Sequence, residues 1–531
     1  MHSLLQHIVH RSNKAATNKI MSRLSGEVFS ILLALIVAMN ISIAQTYTDW
    51  TLNGNATNNG TIKVNRNIIN NTAGLVTVSG TGVVKFQGAG TAVSHSIQCT
   101  NLSNTYPVSI IRLDLVGTRV TTLNTPTTVP TQLRIGDGTT TYTAASPGFS
   151  IGAQTLTIGA VSTYMATSTA LLTFNGGTVV FNGAAAQSIL NNAAGVTYGT
   201  LSISGAGAKS VTTGGTVAAA TLTQTSGSGQ LSVTENMNVT GTASVTDLGA
   251  ISSGKMLQLT AAATNASITA MNNTGTGIFQ NAANITATIT TLTGNAGTIN
   301  QSGASGTIAF TNAAVNTGTI TSATGTINFN TNLSGTGTIT LSGNGNMFFG
   351  GSVAQTIYNL NKGTVTYNSA TAQSVVATPY NNLTIANATD TTIANYKTAN
   401  AVLTVTGNLV INMGNTLDMQ GFITSSFGAG SSNLGKIKWS ASNAYVGGSG
   451  VTEFYGSTGG NVAAGTSYGN MLFSGTGMMT FATAGTTTVT GNVTLNTGSQ
   501  VTINNSVILQ VNGSTFVSGN ITNNGTVNVG P

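Results

Sequence analysis

Apolar and polar positions alternate in short runs along most of the chain, as in Ile327-Asn328-Phe329-Asn330 and Ile339-Thr340-Leu341. A period of two with β-branched enrichment predicts half-buried strands, one face inward and one toward water. Gly-Thr-Ile recurs with its glycine at 297, 306, 318, 325 and 337, so the strands are short and closely spaced. Asn-Gly steps beginning at Asn53, Asn59, Asn182, Asn344 and Asn524 are expected to supply positive-φ turns between them. Beyond the first 44 residues no stretch shows a capped 3.6-residue period. The pattern predicts an all-β chain.

A longer phrase overlies this alternation. It opens on an aromatic residue and closes on Gln-Ser/Thr-Ile/Val, running from Phe181 to Ile189, from Phe349 to Ile357 and from Tyr367 to Val375. A Tyr-x-x-Leu-x-Ile strand follows two of them, at Tyr198–Ile203 and Tyr380–Ile385. Degenerate copies open at Phe86 and Phe454, which suggests a module of about 90 residues. Asn58–Val64 near the start is echoed by Asn523–Val529 at the end. Aromatic residues recurring at equivalent places are read as core fillers at strand starts. Repeats that stack only on their neighbours predict a solenoid. Coils of roughly 20–25 residues would stack at ~4.8 Å, with Val, Ile, Leu and Phe inside and ladders of Thr, Asn and Ser outside. A tandem array of small β-sandwiches is the rival architecture. The chain divides into a leader (1–44), an N-terminal solenoid segment (45–165), a central near-neutral segment (166–345) and a C-terminal repeat segment (346–531).

The leader changes how the charge is read. Arg11, Lys14, Lys19 and Arg23 precede an apolar run from Ile31 to Met39, and Ser42-Ile43-Ala44 follows. This is the layout of a cleaved secretory signal peptide. The 9-residue apolar run is well short of the ~18 residues of a spanning helix. The whole chain has 16 basic and 9 acidic residues, but only 12 and 8 follow Ala44. Charged residues make up 5% of the chain against ~25% in ordinary domains. None occurs between Met256 and Asn361. No Lys/Arg run is left to track nucleic acid, so the basic pI is no sign of nucleic-acid binding. Association with membrane is not expected after cleavage. The expected location is secreted or on the cell surface.

The leader, a mature start at Gln45, and modules containing Tyr380-Asn381-Asn382-Leu383-Thr384-Ile385 and Val405-Thr406-Gly407-Asn408-Leu409-Val410-Ile411-Asn412 resemble large secreted repeat proteins of Gram-negative bacteria. These include autotransporter passengers and filamentous-haemagglutinin-like adhesins. The resemblance implies a right-handed parallel β-helix with a structural or adhesive role. It departs from those families at the end, where Val529-Gly530-Pro531 falls inside a repeat-like unit with no translocator barrel or sorting domain after it. A truncated C-terminal segment, or an export route encoded elsewhere, is therefore expected.

Candidate chemistry is sparse. Glycoside hydrolysis needs two carboxyls about 5–9.5 Å apart, and no two mature acids are adjacent in sequence. Residues one coil apart stack, however, which would bring Asp114 and Asp137 together. With Arg112, Arg119 and Arg134 they form the densest mixed-charge group. That group is read either as a polar ligand patch for an acidic sugar, lyase-like at its most active, or as a cross-coil ion-pair ladder. The ladder is the simpler reading. His95 and Cys99 would share a strand face about 13 Å apart with no third ligand, too far for one zinc ion. No calcium-binding nonapeptide, nucleophile elbow with a usable base, or phosphate loop is present. No cofactor or metal is expected. The sequence therefore predicts a non-catalytic surface structural or adhesin-like solenoid, whose partners are a surface polysaccharide or other copies of itself. A polysaccharide-active β-helix enzyme and a carbohydrate- or ice-binding module with flat Thr rows are the alternatives.

Overall fold

A computed structural model describes the chain from Gln45 to Gly530, except 53–55, 58–59, 71–77, 80–82, 87–94, 100–103, 106–109, 114–119, 124–125, 130–131, 136–147, 160, 165–170, 212, 261–264, 387–395 and 464–466. The leader therefore lies outside the described residues, as do most side chains before Phe149. The described chain is a right-handed parallel β-solenoid. Each strand pairs in parallel with the strand about one coil later, as Thr307–Phe310 does with Thr326–Phe329. This overturns the tandem-sandwich alternative, whose sheets would be antiparallel.

The register explains the two periods seen in the sequence. The Gly-Thr-Ile copies at 297, 318 and 337 form one face, because Thr298 pairs with Thr319 and Thr319 with Thr338. The copies at 306 and 325 form another, with Thr307 on Thr326. Successive Ile299, Ile320 and Ile339 are fully buried, as are Ile308 and Ile327. The period of two fills the core, and the coil repeat sets those residues one above another.

Glycine before Thr-Ile is required by space. A Cβ on Gly318 would lie 2.1 Å from the Gly297 carbonyl oxygen of the preceding coil. The same holds at Asn182-Gly183, Asn344-Gly345 and Asn524-Gly525, which corrects the expectation of positive-φ turns at these three steps. Gly183, Gly345 and Gly525 are absent from the left-handed glycines. A Cβ on Gly525 would approach the Val507 carbonyl to 2.5 Å.

Aromatic residues stack inside the rod, and Phe349 and Tyr367, which open two of the repeat phrases, continue a column begun by Phe310 and Phe329. Phe310 and Phe329 have ring centroids 4.8 Å apart, Phe329 and Phe349 5.7 Å, and Phe349 and Tyr367 5.3 Å. Gln187 and Gln373 are the buried corners of their phrases. Gln187 accepts from Gly183 N and donates to Ile158 O of the previous coil. Gln373 repeats this with Ser369 N and Phe349 O. The tyrosines of Tyr-x-x-Leu-x-Ile then hold the same corner. Tyr198 donates to Leu190 O, while Tyr380 donates to Val376 O and meets the Tyr367 hydroxyl at 2.9 Å. Tyr380→Phe leaves the Val376 carbonyl without this donor, and is expected to cost about 1–2 kcal/mol in a chemical denaturation curve.

Polar ladders run inside the rod as well. Asn273 Nδ2 donates to Asn295 Oδ1 at 3.3 Å, and Asn295 Nδ2 to Asn316 Oδ1 at 2.9 Å. Asn316 Nδ2 then reaches Gln355 Oε1 at 2.9 Å. Asn273, Asn295 and Asn316 are no more than 1% exposed. Beside them Asn281 Nδ2 donates to Gln301 Oε1 at 2.8 Å. Amide ladders were expected on the outside; these are internal and replace ions as the polar cement of the charge-free coils.

Candidate functional site

Of the charged group singled out in the sequence, Arg112 and Arg134 lie in the strands Ile110–Leu113 and Gln132–Ile135, as direct register neighbours. Asp114, Arg119 and Asp137 lie outside the described residues. The column that holds the two arginines extends backward through Lys85 to Lys63. His95 pairs with Thr121 and Cys99 with Asn70 on neighbouring coils. Among the described residues no three His, Cys, Asp or Glu side chains are grouped to hold a metal ion, and no helix is long and apolar enough to cross a membrane.

The outer face carries long columns of small polar residues. One runs Thr155, Thr178, Thr200, Thr221 and Thr242 on successive coils. A second runs Thr286, Thr307, Thr326, Asn346, Thr364 and Asn382. Each of these residues is half-buried, and the next residue in the strand (Val179, Leu201, Leu222, Ile308, Ile327) is fully buried. Neighbours in a column are therefore about 4.8 Å apart, and outward residues two apart on one strand are ~6.6 Å apart. The result is a lattice of hydroxyl and amide groups fixed by the backbone.

Farther along, unequal coil lengths assemble a cluster that the sequence does not advertise. Asp418, Lys438 and Glu453 are consecutive in one register column. Lys438 Nζ lies 5.0 Å from the Tyr396 ring centroid and 4.5 Å from that of Tyr455. The Tyr455 hydroxyl donates to Asp418 Oδ1 at 2.9 Å. Glu453, 8% exposed, accepts from Lys436 Nζ at 3.0 Å and Ser474 Oγ at 2.6 Å. Burial works to raise the Glu453 carboxyl. The hydrogen bonds from Ser474 and Lys436 and the charges of Lys436 and Lys438 outweigh it, holding the group below the usual carboxylate range. A general acid for glycoside cleavage needs the opposite shift. Two register steps put Asp418 and Glu453 about 9.6 Å apart, but the groups between them are tied to one another. The cluster works as an ion-pair and cation–π staple across coils.

Two lysines are buried with backbone partners. Lys209 follows Gln187 in the register and Lys397 follows Gln373, and both are 0% exposed. Lys209 Nζ donates to Gly183 O and Gly207 O, and Lys397 Nζ to Ser369 O and Thr371 O. Burial lowers both amines, Lys397 to about 8. Period two would have placed them inside, since Val211 and Ala399 lie two residues on. The usual exposure of lysine argues against that placement and hides it. The chain matches no family model, no curated protein and no solved structure.

Proposed function

We propose that the chain is an extracellular structural β-solenoid that adheres along its length to polysaccharide surfaces without catalysing a reaction. The observation that supports this reading is the register of the outward Thr and Asn columns over successive coils. One hydroxyl-to-polymer contact is weak, but a rigid lattice of many presents them with their ordering cost already met in folding. Aligned threonine columns are also what a carbohydrate-binding face requires, so the adhesive and carbohydrate-binding readings converge on one surface. Export by the N-terminal leader belongs to the same proposal and rests on residues 11–44.

The test is retention of the purified full chain on insoluble cellulose or chitin. Thr200→Glu combined with Thr307→Glu places desolvation-costly charges in both columns. It is expected to cut retention at least fivefold with an unchanged circular dichroism spectrum. Retention equal to the parent, or a parent chain that is never retained, would overturn the reading. Assembly of rods in the absence of polymer would reassign the face to contact between copies.

A further inference from the structure

We propose that a groove at one corner of the C-terminal coils binds a single unit of a neutral hexose. The groove lies where the coil length falls. Thr416 pairs with Lys436, 20 residues on, and Val451 with Asn470, 19 on, but Lys436 pairs with Val451 after only 15. The short coil leaves a notch of about 220 Å³ between its longer neighbours, bordered by 414–416, 434–436 and 449–451. That is less than the ~300–1,000 Å³ of a pocket for a drug-sized ligand, and it suits one sugar ring.

Its lining is amphipathic, as a sugar ring is. Leu434, 42% exposed, and Val451 give it apolar walls. Ser449 and Asn470 add a hydroxyl and an amide. Asn470 Nδ2 donates to Ser449 O at 3.2 Å, which leaves its second N–H for another acceptor. Lys436 Nζ donates to Glu453, and an ammonium has two further N–H donors. Thr416 supplies the observation that points to a ligand. It is 1% exposed and lines the groove, yet its hydroxyl has no hydrogen-bond partner among the described residues. A buried polar group left unpaired weakens a fold, so a ligand hydroxyl that pairs with Thr416 removes a standing cost.

Charge selects among ligands. The lysines beside the groove, Lys436 and Lys438, are matched by Asp418 and Glu453 on the same coils and their neighbours. No net charge is left to attract a carboxylate or a phosphate, and Lys436 repels a cation. A neutral polyhydroxylated ring offers hydroxyls to the donors and C–H faces to Leu434 and Val451. The groove shares no residue with the Thr and Asn columns, so it goes beyond the adhesive reading and is tested apart from it.

The test is calorimetric titration of the full chain with glucose, galactose and mannose, with glucuronate and glycerol as comparisons. At least one hexose should bind with a Kd of roughly 1–10 mM, the affinity of a ligand this small, and the value should hold from about 50 to 500 mM salt. Ser449→Trp fills the groove from an exposed position and should weaken binding about tenfold or more with an unchanged thermal midpoint. Thr416→Val keeps the shape and removes the unpartnered hydroxyl. It should weaken binding about fivefold or more while raising the thermal midpoint or leaving it unchanged. A hydroxyl with a structural role alone would not separate those two readouts. Thr200→Glu with Thr307→Glu should leave hexose binding intact, which keeps failure here distinct from failure of the hydroxyl face. No binding of any of the three hexoses, equal binding of glycerol, tighter binding of glucuronate, or full affinity in either groove variant would each overturn the proposal.

Discussion

Asn295→Ala should destabilise the central coils by about 3–5 kcal/mol, because buried polar groups on both sides lose their partner at once. Asn295 Nδ2 donates to Asn316 Oδ1, Gly297 O and Thr319 O, and its Oδ1 accepts from Asn273 Nδ2. Alanine removes all four contacts at sites 0–1% exposed. Each stranded group costs roughly 1–3 kcal/mol. Leucine should fare no better, since the stranded amides remain. In a solenoid the damage spreads through neighbouring interfaces. Hydrogen exchange should therefore accelerate first in Thr298–Gln301 and Thr319–Ser322, ahead of coils near either end. Asn312 is the control: its Nδ2 donates to Thr291 Oγ1 on the exposed surface, and Asn312→Ala should cost under ~0.5 kcal/mol. Equal effects of the two variants would show that the ladder adds nothing beyond surface hydrogen bonding.

What the sequence discloses depends on whether a residue acts within its own strand or across coils. The inward isoleucines of Gly-Thr-Ile need only the alternation, and Ile299, Ile308, Ile320, Ile327 and Ile339 lie where it puts them. The aromatic phrases likewise identify Phe349, Tyr367 and Tyr380 as core residues. The buried amide ladder needs the coil length as well. Asn273 pairs with Asn295, 22 residues on, but Lys438 pairs with Glu453 only 15 on and Leu133 with Ser162 29 on. No single repeat length carries all three, so a reader of the sequence cannot align distant polar residues. The Asp418–Lys438–Glu453 staple is hidden for the same reason. The basic column is half visible: Arg112 and Arg134 are near enough to be paired by eye, whereas Lys63 and Lys85 join only through the register. The Asn-Gly steps mislead differently, since glycine serves a close approach of coils as well as a left-handed turn.

Stability should rise between about pH 8 and pH 10 and fall above it, a window far more alkaline than the one in which paired carboxylates stabilise a fold. Lys397 loses its proton near 8 when folded, because burial disfavours the ammonium, whereas an unfolded lysine holds it to about 10.4. Between those values the unfolded chain binds more protons, so raising the pH favours the fold. The gain is about 2–3 kcal/mol for Lys397 alone. Lys209 is shifted in the same direction by the same cause. Above pH 10 the tyrosines act in the opposite sense. Burial raises Tyr198, Tyr367, Tyr380 and Tyr468, so they keep their protons in the fold while unfolded tyrosines ionise near 10. The folded state then binds more protons, and stability declines. Thermal melts from pH 7 to 11 should show a maximum close to pH 10. Lys397→Met removes the ammonium and should reduce the rise, leaving only the share carried by Lys209, while the decline above pH 10 persists. A parent whose midpoint is flat or falls from pH 8 to 10 would mean that the buried amines keep ordinary proton affinities, with their carbonyl partners making up for the lost water.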